Sequence, residues 1–149
     1  MAISAMEAAR IACHRSGWKL SNLQLHKILY IASLAYAGKF GSKDTLINDE
    51  YFQAWRYGPV LPSVYQSSYQ YGSDAIENLP GEISTSEDSD EYKEIAYAVD
   101  KLKHVPVFSL VEFTHSPDGA WCNAYNSGYN MPILPEDICH EYKVRFAPR

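Results

Sequence analysis

A chain of 149 residues that is 46% apolar and 13% aromatic, with twelve tyrosines, has the size and composition of one globular domain, not of a disordered segment. Its net charge of −5 comes without a basic stripe, which argues against strong nucleic-acid binding, and no apolar run approaches the ~20 residues of a membrane span. The start of the chain lacks both a basic cluster and a continuous apolar stretch, and the three cysteines (Cys13, Cys122, Cys139) form no spaced pair, so a reduced, cytoplasmic protein is expected.

Residues 3–16 are predicted to be a helix, with Ile3, Met6, Ala9 and Cys13 on one face and Gly17 as its stop. Ser21-Asn22-Leu23-Gln24 is a capping-box sequence, and Leu20 and Leu25 are spaced as its hydrophobic staple. The helix it opens carries a core stripe of Leu25, Ile28, Leu29, Ala32 and Tyr36 to about Ala37, with Gly38 marking its end. Residues 39–49 read as a loop and 51–57 as a short extended run. Pro62 suits the first turn of a helix that continues to Gly72. Asn78-Leu79-Pro80-Gly81 is turn chemistry, and the acidic segment 82–90 reads as a mobile loop.

Asp88 with Glu91 offers the next helix start, followed by the stripe Tyr92, Ile95, Ala96, Val99 and Leu102. Ser109 to Glu112 resembles a second capping box, with Phe108 and Phe113 as staple, and Pro117 can launch a helix carrying Trp121, Ala124 and Tyr125. Pro135 opens a last helix with Ile138 and Tyr142. The expected fold is a mainly α, single-domain bundle of about six helices over residues 1–149, with room for a small β-hairpin near residues 50–57.

Charge is unevenly placed. Residues 74–100 hold nine of the eighteen acids against one lysine, a solvated surface that could also steer a basic partner. Cys13-His14 and Cys139-His140 are adjacent pairs that cannot grip one tetrahedral ion, so no metal and no cofactor are expected. Thr114-His115-Ser116 lacks any signature of a nucleophile elbow, and no glycine-rich phosphate cradle is present. His115 is expected to be a partly buried histidine whose side chain closes a helix end before Pro117. No catalytic residues are assigned, and the chain is read as a non-enzyme.

The segment from Gln53 to Tyr65 packs Trp55, Tyr57 and Tyr65 with Gly58, Pro59 and Pro62 into thirteen residues, a stiff aromatic corner. Trp55 and Trp121 are expected in the core because large apolar groups are costly to hydrate. For Tyr30, Tyr57, Tyr65, Tyr69 and Tyr71 the residues leave core and interface equally open.

Three blocks carry a family resemblance: Leu23 to Ala32, including Lys27, Leu29 and Tyr30; Ala54 to Val60, including Trp55, Tyr57, Gly58 and Pro59, with Tyr65 beyond; and Leu110 to His115 with Trp121, including Thr114 and His115. In this order they resemble the Panacea domain, a family that includes SocA-like antitoxins and phage-associated GepA-like proteins. His26 stands where that family usually has glutamine, and Ala120 where a proline commonly precedes the tryptophan. The resemblance implies an antitoxin that neutralises a toxin, usually encoded by the adjacent gene, through direct protein contact. The partner surface is expected at Arg56, Tyr57, Tyr65, Tyr69 and Tyr71. The alternatives are a proteolytic adaptor that delivers its partner to a protease, a phage accessory factor that binds a host protein, and a hydrolase using His115.

Overall fold

The computed structural model describes residues 2–146. Helix α1 (Ala5–Arg15) is capped by Ser4, whose hydroxyl accepts from the Glu7 N–H. Its buried face is Ala5, Ala8, Ala9, Ile11, Ala12 and Cys13, rotated from the stripe predicted on Ile3 and Met6. The small alanines let the helix approach its neighbours closely, while Ile3 lies ahead of it in a bridge to Ile47. Gly17 (φ +74°) and Trp18 (φ +61°) end it in left-handed geometry, with the Trp18 N–H donating to the Cys13 carbonyl.

Helix α2 (Asn22–Phe40) begins with the predicted capping box, in which Ser21 and Gln24 satisfy each other's backbone N–H groups. It runs past Gly38 to a cap at Gly41 (φ +83°). Gly38 is interior to the helix because the Tyr142 ring lies against it, where a Cβ would sit 2.4 Å from ring carbons. This helix is buried nearly all round and packs against α1, α4 (Asp90–Leu102), α5 (Val107–Thr114) and α7 (Pro135–Phe146).

The hairpin is β1 (Gln53–Trp55) paired antiparallel with β2 (Gly58–Val60), in the register Gln53 with Val60, Ala54 with Pro59 and Trp55 with Gly58. It therefore lies three residues later than predicted, with Arg56-Tyr57 as its turn. Pro59 is accommodated on the edge of a two-stranded ribbon. The outer edge of β1 is occupied by residues 131–133, through Ala54 N–H to Met131 O and Ile133 N–H to Phe52 O. Helix α3 (Pro62–Ser68) has Pro62 in its first turn and tightens into a 3₁₀ turn over Tyr69–Tyr71 before Gly72. The Glu50 carboxylate accepts from both the N–H and the hydroxyl of Ser63 at the start of α3.

Three predicted starts are corrected. Helix α4 is capped by Ser89, not Asp88; the Ser89 hydroxyl accepts from the Tyr92 N–H. Helix α5 begins two residues before the expected capping box, with Pro106 as its N-cap, so Ser109 lies within the first turn and Phe108 is exposed instead of stapling. Residues 117–119 form a turn, and α6 (Ala120–Ser127) starts behind Gly119. The acidic stretch is fastened at one point: Ser84 and Thr85 direct both their N–H groups and both hydroxyls at Oε2 of Glu7.

The described residues thus hold seven helices and one small hairpin around a single cluster of buried apolar side chains. Among them no helix is long and apolar enough to cross a membrane.

Candidate protein-binding site

The hairpin lies across α2, α5 and α6, and this crossing gathers residues from all three sequence blocks. At its centre is Gly58 (φ +127°), where a Cβ would come within 2.6 Å of Lys27 Nζ and 3.3 Å of Thr114 Oγ1. Only glycine leaves that space open, and the Lys27 ammonium occupies it. Lys27 is 0% exposed, and its Nζ has no hydrogen-bond partner. Burial pulls its pKa down to about 8.

Behind the hairpin, the Trp121 indole N–H donates to the Trp55 carbonyl at 2.8 Å, tying α6 to β1. The His115 ring stacks flat on Trp121, with centroids 3.8 Å apart and planes 6° apart, and Trp121 stacks in turn on Tyr125 at 4.7 Å. The expected side-chain role of His115 is corrected here. Its backbone N–H closes the end of α5, onto Val111 and Glu112 carbonyls, while the imidazole packs on the indole. Burial and the Lys27 charge hold that imidazole below the usual histidine range. Its Nε2 is buried without a hydrogen-bond partner. Thr114 Oγ1 donates to the Val111 carbonyl of its own helix.

In front of the hairpin the aromatic groups form a ladder. Trp55 meets Tyr65 edge-on at 5.1 Å, and Tyr65 meets Tyr69 at 6.1 Å. The Arg56 guanidinium sits 5.4 Å from the Tyr57 ring centre. Tyr57 and Tyr69 are 60% and 61% exposed and Tyr65 is 38% exposed, so the hairpin turn and α3 present three tyrosines to solvent. Tyr71 turns inward, partly buried against the core, with its hydroxyl donating to Asn78 O. Trp121 is buried as expected, whereas Trp55 is half-buried, its indole N–H held by Gln53. Leu29 is a fully buried core residue.

Between α2 and the hairpin runs a groove of about 180 Å³ whose walls include Leu23, His26, Trp55, Arg56 and Tyr65, and to which Lys27 contributes. Burial, outweighing contacts to the Asn22 and Leu61 carbonyls, brings His26 down to about 4, so its ring is neutral at physiological pH. Among the described residues no aspartate or glutamate lines this groove.

Tyr30, the last motif residue of α2, is fully buried and donates its hydroxyl to Glu141 Oε1 at 2.6 Å. The same oxygen accepts the Ala120 N–H at the start of α6, while Arg145 binds Oε2 and also reaches the Phe113 carbonyl. Glu141 therefore joins α2, α6 and α7, and its partner Arg145 brings in α5. The sequence reading passed over it. The Glu141–Arg145 spacing of four on the last helix was the available signal, but such pairs are common on solvated helix faces. Among the described residues no three histidine, cysteine or acidic side chains are grouped to hold a metal ion.

The model of the antitoxin SocA-like, Panacea domain family matches residues 25–122, a stretch that begins two residues before Lys27 and ends just after Trp121. Antitoxin SocA of Caulobacter vibrioides (strain NA1000 / CB15N) is 28% identical over 113 residues, covering 68% of this chain and 58% of that protein. The alignment thus spans a little over half the length of that relative. No solved structure matches.

Proposed function

The chain belongs to the family of SocA-like antitoxins with a Panacea domain, and on that premise we propose that it neutralises a toxin protein by binding it directly, without catalysis. The observation that supports a binding role is the exposed ladder of Tyr57, Tyr65 and Tyr69 with Arg56 at its edge. Tyrosine and arginine supply large contact area for little lost side-chain freedom, and they are the common anchors of protein interfaces. The rigid mounting suits this task. The turn that carries Arg56 and Tyr57 is held by strand pairing on one side and by Trp121 on the other, so little ordering is required on association.

The toxin is taken to be the product of the adjacent gene, and the site of action the cytoplasm, where the three free cysteines would stay reduced. The test is co-expression of the two products. A stable complex on co-purification, with relief of growth arrest, is the expected result. If the neighbouring product is toxic and this chain neither binds it nor restores growth, the antitoxin reading is lost.

A further inference from the structure

Lys27 presents a problem that the fold leaves unsolved. A buried ammonium is costly unless it is paired, and natural structures give such a group an acid or a carbonyl as partner. Here it has none: its Nζ lies in the space under Gly58 with no hydrogen bond, and no acid lines the adjoining groove. Beside it His115 Nε2 is also buried and unpartnered. The Lys27 charge is felt at the His115 ring, which also meets the Tyr57 backbone, in a chain whose net charge is otherwise negative. The groove that Lys27 joins is walled by Trp55 and Tyr65, with Arg56 at its rim. Arg56 makes no ion pair among the described residues and spends its charge on the Tyr57 ring. The local field is cationic and the walls are aromatic, chemistry that suits an anion carried beside an apolar group.

We propose that this groove is a carboxylate-binding subsite, in which Lys27 Nζ receives an aspartate, glutamate or chain-terminal carboxylate of the bound protein while Trp55 and Tyr65 hold the apolar residue next to it. The assignment of the carboxylate to a protein rests on the antitoxin reading; the anion chemistry of the groove does not. The four-carbon stem of lysine is flexible and Lys27 already lines the groove, so a rotamer change is the route by which Nζ would meet the carboxylate. A charge-assisted hydrogen bond formed there, out of water, is among the stronger single contacts available to an interface. It would also discriminate between partners, because a neutral or basic residue at that position leaves the ammonium buried and unpaired.

The experiment uses the purified chain and three probes: phenylacetate, its neutral analogue phenylacetamide, and inorganic phosphate. Binding is followed by NMR at the Trp55 indole N–H, the Gly58 amide and the Lys27 side-chain carbons. Phenylacetate is expected to shift all three, and to bind about tenfold or more tightly than phenylacetamide, the discrimination a hydrogen bond to a charged group supplies. Lys27→Met should remove that preference while the thermal midpoint holds or rises. Equal binding of the two phenyl probes, retention of the preference in Lys27→Met, absence of any phenylacetate shift, or tighter binding of phosphate than of phenylacetate would each overturn the proposal. The neutral-analogue comparison on the unaltered chain decides the matter even if Lys27→Met fails to fold. The neighbouring gene product separates the two readings. Phenylacetate binding without a complex sinks the antitoxin reading alone, and a complex that neither Lys27→Met nor excess phenylacetate weakens sinks the subsite alone.

Discussion

Lys27 is held where its own charge costs stability. Its folded pKa of about 8 lies below the ordinary 10.5. Between those values the unfolded chain binds a proton that the folded chain has released, so the Lys27 contribution rises as pH climbs from about 8 to 10.5, against an opposing loss above pH 9 from Cys13, whose thiol burial pushes up to about 12. The two groups that share its surroundings are His26 and His115, both with pKa values lowered by burial and by the Lys27 charge, so neither titrates in that window. The penalty is on the order of 3 kcal/mol below pH 8, and in denaturant melts the stability of the natural chain relative to Lys27→Met should rise across this range, the thiol and tyrosine contributions being common to both.

The acid side has two successive windows. Burial sets His26 at about 4 against 6.5, with the Lys27 charge and the Tyr65 ring facing it, so stability is present above pH 6.5 and lost as pH falls toward 4. Burial works to raise Glu7, but hydrogen bonds from Thr85, Ser84 and Arg10 outweigh it and hold the carboxyl at about 2, so its contribution is lost from about 4.5 down to 2. His26→Gln should shrink the upper window to the part that His115 contributes and leave the lower one unchanged, as read from melting temperature against pH.

Among the elements, α2 organises the rest, and its two ends can be tested separately. The Ser21–Gln24 capping box satisfies two N–H groups that the helix cannot bond itself. Ser21→Ala should cost about 1 kcal/mol in equilibrium denaturation. At the other end, Gly38 gives up helix propensity to admit the Tyr142 ring of α7. In a solvated helix Gly→Ala would stabilise by about 1 kcal/mol. Here Gly38→Ala should instead destabilise by about 1 kcal/mol or more, because the ring must move. Combining it with Tyr142→Ala should recover the helix gain, a coupling that a double-mutant cycle measures. The hairpin depends on neighbours in the same way. Three-residue strands are marginal alone, and these are held by residues 131–133 on one edge and by Trp121 from behind.

At the scale of the whole molecule, the acidic stretch follows directly on the aromatic corner, with the Asp74 N–H donating to the Tyr71 carbonyl, yet it sends no acid into the groove. The acids of residues 74–100 gather in the loop before α4 and in α4 itself, while Arg56, Tyr57, Tyr65 and Tyr69 surround a groove without acids. Removing exposed rings leaves the core intact, so Tyr57→Ala with Tyr69→Ala should shift stability by no more than about 0.5 kcal/mol per site. The same pair should weaken toxin binding by tenfold or more if they are interface anchors, about 1.4 kcal/mol or above. Calorimetric titration with the neighbouring gene product checks both the affinity and the stoichiometry.

The sequence by itself determined the helical class, the Ser21 cap and the Pro62 and Pro135 starts, because periodicity, capping and proline sterics act within a few residues. It misplaced the starts of α4, α5 and α6, where several nearby serines, prolines and glycines could each serve and the packing chose among them. Only the tertiary structure decided which tyrosines face water, that Tyr71 turns inward, and that Lys27 ends beneath Gly58. The same holds for Glu141, whose partner Tyr30 is 111 residues away. Burial is a property of segments brought together from far along the chain, and no local pattern records which side chain will fill the space a distant glycine leaves.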